Sequence, residues 1–337
     1  MGNRYLSPQW RGPTRPALTP RWRLTTRPAL TPLLHALFFI AAATQTAIVP
    51  LLPRISRVYG LSPSATGLLL AAPGLATLAI SMPAGIVADR LGARRVTVAA
   101  TLLMCLAALV QAAPSYAALV GGRLAFGVAF GILWTTGVTW MSRSQEQSGS
   151  PGLGAVATSA AVGMVAGPAI GGVIADQFGL SSPFLLVAAL AAILAMLLQR
   201  EAAPARSPSA TPQHNSMRTF VRVAPRQSGV LSAALALAVS SAVGGVTQLL
   251  VPLQLHQAGF SAGATGLAFS AAAAIYIAVS ATVVKLGRRA TTVRSAALGA
   301  LGLGLSLLPA AFGANAAWLI AVLLLSTAPR AVVSTIS

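Results

Sequence analysis

Gly85-Ile86-Val87-Ala88-Asp89-Arg90-Leu91-Gly92-Ala93-Arg94-Arg95 separates two long apolar segments that carry no charge, and it holds one of only four acidic residues in a chain of 337. A short charged connection between runs of that length is what a chain needs to cross a hydrocarbon layer, turn in water and cross back. The composition agrees. A soluble domain carries about 25% charged residues, whereas here 8% are charged and 55% hydrophobic. Residues 227–284 contain no Asp, Glu, Lys or Arg.

A membrane-crossing helix needs about 20 apolar residues. Apolar runs of this kind predict ten spans, at 33–53, 64–86, 96–113, 117–141, 153–175, 182–199, 229–253, 263–284, 295–313 and 315–335. With a cytoplasmic N-terminus, 19 of the 23 basic residues fall in inner segments, and only Arg54 and Arg57 fall in an outer loop. The positive-inside rule therefore predicts a multi-pass protein of the cell membrane with its N-terminus in the cytoplasm.

The net charge of +19 does not indicate a nucleic-acid binder, because the basic residues are spread between apolar segments and not gathered on one soluble face. One cysteine, Cys105, leaves no disulfide or zinc framework and reads as a small buried hydrophobe. Four acids (Asp89, Glu146, Asp176 and Glu201) and three scattered histidines (His35, His214 and His256) form no catalytic cluster. No enzyme, metal or cofactor is implied.

Residues 1–32 repeat themselves. Trp10-Arg-Gly-Pro-Thr-Arg-Pro-Ala-Leu-Thr-Pro20 recurs as Trp22-Arg-Leu-Thr-Thr-Arg-Pro-Ala-Leu-Thr-Pro32, without an apolar period. This reads as a disordered basic cytoplasmic tail rather than a cleaved signal, since the apolar run that follows continues to Leu52. A larger duplication spans the chain. Val49-Pro50-Leu51 and Ser62 to Leu68 are echoed by Val251-Pro252-Leu253 and Ser261 to Leu267, and Leu91-Gly92-Ala-Arg-Arg95 by Leu286-Gly287-Arg-Arg289. The expected organisation is a six-helix bundle over 33–199, a cytoplasmic linker over 200–228 and a second bundle over 229–337 that is about two helices short.

Three motifs carry a family resemblance. The stretch from Gly85 to Arg95 resembles G-x-x-x-D-R-x-G-x-R-R, the loop between helices 2 and 3 of the major facilitator superfamily. Arg123-Leu-Ala-Phe-Gly127 resembles the family's helix 4 pattern R-x-x-x-G, and Gly163-Met-Val-Ala-Gly167-Pro168-Ala-Ile-Gly171-Gly172 resembles the helix 5 pattern of its drug/proton antiporters. The resemblance implies an all-α integral membrane fold of two pseudo-repeated bundles that transports by alternating access. It further implies that Gly85, Asp89, Arg90, Gly92, Arg94 and Arg95 latch the outward-facing state and that Arg123 serves proton or charge transfer. The expected substrate is a small drug-like or amphipathic molecule exported against protons by a monomer. A sugar or metabolite permease, and an inactive fragment, are the alternatives.

The residues add their own expectations. Small residues recur at Ala155, Ser159, Gly163, Gly167, Gly171 and Ala175 on the fifth span, and at Gly266, Ser270, Ala274, Ala278 and Thr282 on the eighth, which predicts that these two spans pack across the interface between the bundles. Pro168 should bend the fifth span. Arg123, inside a span, should face the bundle and find acceptors, and Asp89 should pair with a base or cap a helix. Candidates for the substrate cavity are Gln45 with its neighbours Thr44 and Thr46, Trp134, Gln248 and Tyr276. Trp140 and Trp318 read as interfacial anchors, and His35 as an interfacial residue at the cytoplasmic mouth.

Overall fold

A computed structural model describes residues 30–146, 153–201, 228–286, 298–299, 301–305 and 315–336. Residues 1–29, the linker from 202 to 227 and most of the ninth span lie outside these. The regular structure of the described residues is helical: α1 Leu30–Ala47, a 3₁₀ turn Val49–Leu51, α2 Leu52–Tyr59, α3 Pro63–Leu91, α4 Ala93–Ala112, α5 Tyr116–Ile132, a π-helical segment Leu133–Gly137, α6 Val138–Glu146, α7 Leu153–Phe178, α8 Ser182–Arg200, α9 Ser228–Gln257, α10 Ala262–Leu286 and α11 Ala316–Ile336. Residues 298–299 and 301–305 are also helical. Among the described residues, nine helical stretches are long and apolar enough to cross a membrane.

The turns follow from local chemistry. Pro50 has no N–H to donate to the α ladder, and the chain tightens there into the 3₁₀ turn before resuming as α2 with Pro53 in its first turn. Arg54 and Arg57, expected in a loop beyond residue 53, therefore ride on a helix. α2 ends at Gly60, whose φ of +60° lets the Leu61 N–H reach the Ser56 carbonyl at 2.9 Å. The same turn closes α9: Gly259 has φ +89°, and the Phe260 N–H reaches the Leu255 carbonyl at 3.0 Å. Ser62 then caps α3 by accepting from the Ala65 N–H at 3.2 Å, as Ser261 caps α10 by accepting from Ala264 at 3.1 Å. The duplication read in the sequence is thus a duplicated helix stop and start.

At the opposite end the stretch 89–95 is barely a loop. α3 runs on through Asp89 to Leu91, Gly92 alone is non-helical, and α4 begins at Ala93. Alternate crossings put this Gly92 end on one side of the molecule and the turns at Gly60 and Gly259, with Asp176, on the other.

The largest core cluster joins α1, α4, α5, α6, α7 and α8 around Phe38, Met104, Phe126, Trp140 and Leu198. Trp140 is fully buried in it, so it is a core residue and not the interfacial anchor expected, whereas Trp318 is 45% exposed. Leu75, Leu78 and Leu106 face outward, as hydrocarbon-facing residues do.

α3 and α5 touch backbone to backbone. A Cβ on Gly127 would lie 2.3 Å from the Pro73 carbonyl oxygen and 2.6 Å from its Cα, whereas one on Gly74 would meet nothing within 4 Å. Gly127→Ala should therefore cost about 1–3 kcal/mol by overpacking and lower the melting temperature in detergent, while Gly74→Ala leaves it within error.

Candidate functional site: a helix seam and its flanking charges

α7 is gripped on two sides. Its first strip, Gly163, Gly167 and Gly171, lies on α1: added Cβ atoms would fall 2.2 Å from the Phe39 carbonyl oxygen, 2.4 Å from that of Ala43 and 2.7 Å from that of Ala47. His35 joins this contact through Nδ1 and the Ser159 hydroxyl at 2.7 Å, and the Thr46 hydroxyl donates to the Met164 carbonyl at 3.3 Å. His35 is thus a half-buried tie between α1 and α7.

The second strip is Pro168, Gly172 and Asp176, one residue further round the helix. A Cβ on Gly172 would lie 2.2 Å from the Ala262 carbonyl oxygen, and one on Gly266 would lie 2.1 Å from that of Pro168. The fifth and eighth spans therefore do pack across the two bundles, but through this strip. The ridge of Gly163, Gly167 and Gly171 that sequence reading aimed at the eighth span serves α1 instead. A period of four residues identifies a face; it does not say which neighbour occupies it.

Two hydrogen bonds join the bundles among the described residues. The Ala169 N–H, beside the ladder break at Pro168, donates to the Ser270 hydroxyl at 3.1 Å. The Gly263 N–H donates to Asp176 Oδ2 at 2.7 Å, so a carboxylate from α7 caps the first turn of α10. Beside them Val49 packs with Val251, Leu255, Phe269, Leu319 and Leu323. This seam lies at the Asp176 end. At the Gly92 end Met82, Ile86 and Leu91 of α3 and Val284 and Leu286 of α10 are exposed.

Arg123 is fully buried in α5, which rules out a snorkelling head group. Its Nε–H donates to the Leu69 carbonyl at 3.3 Å, and its guanidinium carbon stands 5.4 Å from the centre of the Phe126 ring. Nη1 and Nη2 have no partner among the described residues, so the acceptors expected from sequence are only partly supplied.

The Gly92 end carries Arg94, which donates to the Gln199 carbonyl at the end of α8. Gly92 has φ +90°, a conformation that L side chains rarely adopt. A Cβ on Gly85 would meet only Thr135 Cγ2, at 3.9 Å. Asp89, Arg90 and Arg95 are exposed, and Asp89 forms neither an ion pair nor a helix cap among the described residues.

The cavity candidates do not converge. Trp134, 37% exposed, stacks edge-on with Phe38 at 5.2 Å and Phe130 at 6.1 Å. Gln45 and Gln248 are half-buried, Gln45 with Oε1 unpartnered among the described residues, while Thr44 and Thr46 bond back to their own helix. Tyr276 is engaged within its own bundle: its hydroxyl bonds the Ser334 hydroxyl at 2.5 Å, and the Arg330 guanidinium stands 5.5 Å from its ring centre. Arg330 had a legible signal, a charge within a span. The π-helical segment, where Thr97 and Thr136 share a buried 2.9 Å hydrogen bond, had none.

The Major Facilitator Superfamily model matches residues 34–337. The chain belongs to that family. It is similar to the multi-drug resistance efflux pump PmrA homolog of Lactococcus lactis, 29% identical over 164 residues, or 47% of this chain and 40% of the relative. It is also 31% identical over 130 residues to the MFS-type transporter ppzB of Metarhizium rileyi, covering 38% of this chain and 27% of the relative. The chain thus matches less than half the length of these relatives. Among solved structures it resembles a bacterial homologue of the human lysosomal transporter Spinster in an inward-facing, unoccupied conformation, with a TM-score of 0.74, 15% identity and coverage of 92% of this chain and 74% of that one. The nucleoside transporter NupG gives a TM-score of 0.71 at 14% identity, with coverage of 91% and 80%. At such identity these structures speak for the fold.

If the seam is the contact described, Val49, 2% exposed, is shielded by it. In a Cys105→Ala background, Val49→Cys should resist maleimide, and adding Gly266→Val should make it react several-fold faster. Equal labelling in both backgrounds would contradict the seam.

Proposed function

We propose that this chain is a proton-coupled efflux carrier for a small amphipathic or drug-like molecule, working by alternating access, with the α7–α10 seam as its outer gate. The observation that carries the reading is that both hydrogen bonds between the bundles lie toward one end, beside Asp176, and that no hydrogen bond or ion pair joins them at the Gly92 end among the described residues. A carrier closed on one side and parted on the other presents one of the two states that alternating access requires.

Orientation follows from charge. Nineteen of 23 basic residues fall in segments that the sequence pattern puts on one side, and those of them that are described, Arg90, Arg94, Arg95, Arg143, Arg200 and Lys285, lie toward the Gly92 end, which we assign to the cytoplasm of a plasma-membrane protein, together with the N-terminus. The conformation is then inward-open. The division into a tail over 1–32, a bundle over 33–199, a linker over 200–228 and a second bundle over 229–337 belongs to the same proposal.

In this state Asp89 is unpaired among the described residues, as a released latch would be. In the outward-facing state Gly85, Asp89, Arg90, Gly92, Arg94 and Arg95 would close the cytoplasmic side. Arg123 supports the coupling role: a buried guanidinium with two unpartnered nitrogens is costly, and its energy changes whenever an acceptor arrives or leaves. Trp134, Gln45, Gln248 and Tyr276 are the residues assigned to the cargo path. Export of drug-like cargo is supported by the helix 5 pattern and by the names of the efflux-pump relatives.

Expressed in an efflux-deficient host, the chain should raise resistance to a subset of toxic amphipathic compounds, and a protonophore should abolish the effect. Arg123→Ala and Asp89→Asn should each remove most of it. Resistance unchanged by expression would overturn the proposal.

Asp176→Ala removes a carboxylate cap worth about 1 kcal/mol, enough for about a fivefold population shift. It should raise labelling of Val49→Cys from the exterior, and Arg94→Cys should be labelled only by a membrane-permeant reagent.

A further inference from the structure

At the Gly92 end a cleft of about 420 Å³ opens between α4 and α8, lined by Arg94, Arg95, Val98, Ala99, Leu102 and Gln199. Its two arginines sit together at the mouth, and its floor is apolar. Below it the outward faces of both helices continue as exposed apolar residues, Leu106 on α4 and Ile193 and Met196 on α8. The cleft is therefore amphipathic along the membrane normal.

We propose that this cleft binds one anionic glycerophospholipid of the leaflet at the Gly92 end, its phosphate held by Arg94 and Arg95 and one acyl chain laid over Val98, Ala99 and Leu102. Charge complementarity selects this occupant. Arg95 is exposed and forms no ion pair among the described residues, and Arg94 spends one N–H on the Gln199 carbonyl while its guanidinium has further donors to offer. Arg200, next to Gln199, adds a third positive charge near the mouth, against which Glu201 is the single acid that follows. A zwitterionic lipid satisfies the apolar floor but brings no net charge to the mouth, and a soluble phosphate satisfies the mouth alone. Only an anionic lipid uses both.

The Arg94 contact gives the lipid a structural consequence. Arg94 already ties the start of α4 to the end of α8 through the Gln199 carbonyl, and a phosphate on Arg94 and Arg95 would sit at that tie, within the charged stretch 85–95. The proposal does not rest on the transport reading, since it concerns retention of a lipid by the folded chain.

The test is native mass spectrometry of the purified full chain equilibrated with phosphatidylglycerol or phosphatidylcholine of identical acyl chains. A surface arginine contributes about fivefold to attraction for anionic lipid, so one phosphatidylglycerol should be retained over phosphatidylcholine. Arg95→Gln should weaken that preference by about fivefold, and Arg94→Gln/Arg95→Gln should abolish it. Leu102→Trp, with both arginines intact, should reduce phosphatidylglycerol retention by filling the floor. Melting temperatures identify any variant that fails to fold, and Arg95→Gln, at an exposed position, keeps the test decisive. Equal retention of both lipids, an unchanged preference in Arg95→Gln, or displacement of the lipid by millimolar glycerol phosphate would overturn the proposal.

Discussion

The fifth span can serve two neighbours because it offers hydrogen atoms where other helices carry side chains. Glycines at 163, 167 and 171 admit the α1 backbone, and Gly172 with Gly266 admits α10 and α7 to each other, at distances a single methyl group would forbid. Inside a membrane no hydrophobic force favours one apolar contact over another, so close packing and hydrogen bonds decide which helices stay together. α7 therefore lies between α1 and α10 and packs about as extensively against one as against the other.

The two contacts differ in their polar ties. The α1 contact extends along the helix from Ser159 to Gly171, with His35 and Thr46 adding polar ties. The hydrogen bonds of the α10 contact lie between Ala169 and Asp176: one comes from the Ala169 N–H and the other from an N–H in the first turn of α10, which has no partner within its own helix. Breaking them leaves each helix otherwise intact.

Electrostatics divides the molecule differently. Charges gather at the two ends, and the exceptions among the described residues, Arg123 and Arg330, are both held against aromatic rings in place of acids. An arginine in a low-dielectric interior is sensitive to any acceptor that approaches it.

Much of this was written in the sequence. Span positions, the all-helical class, the duplicated stops and starts at Gly60–Ser62 and Gly259–Ser261 and the burial of Arg123 follow from hydrophobic run length and local turn chemistry, which depend on nearby residues alone. The strips on the fifth and eighth spans were legible as faces that welcome a backbone. Which backbone each welcomed was not, and the assignment of Gly163, Gly167 and Gly171 to α1 came only with the tertiary arrangement. The same holds for Trp140, whose place near a span end suggested an anchor although the turn of α6 buries it, and for the partners of Tyr276, Arg330 and Ser334. Periodicity along one helix fixes the direction in which a side chain points; only the positions of the other helices determine what it meets.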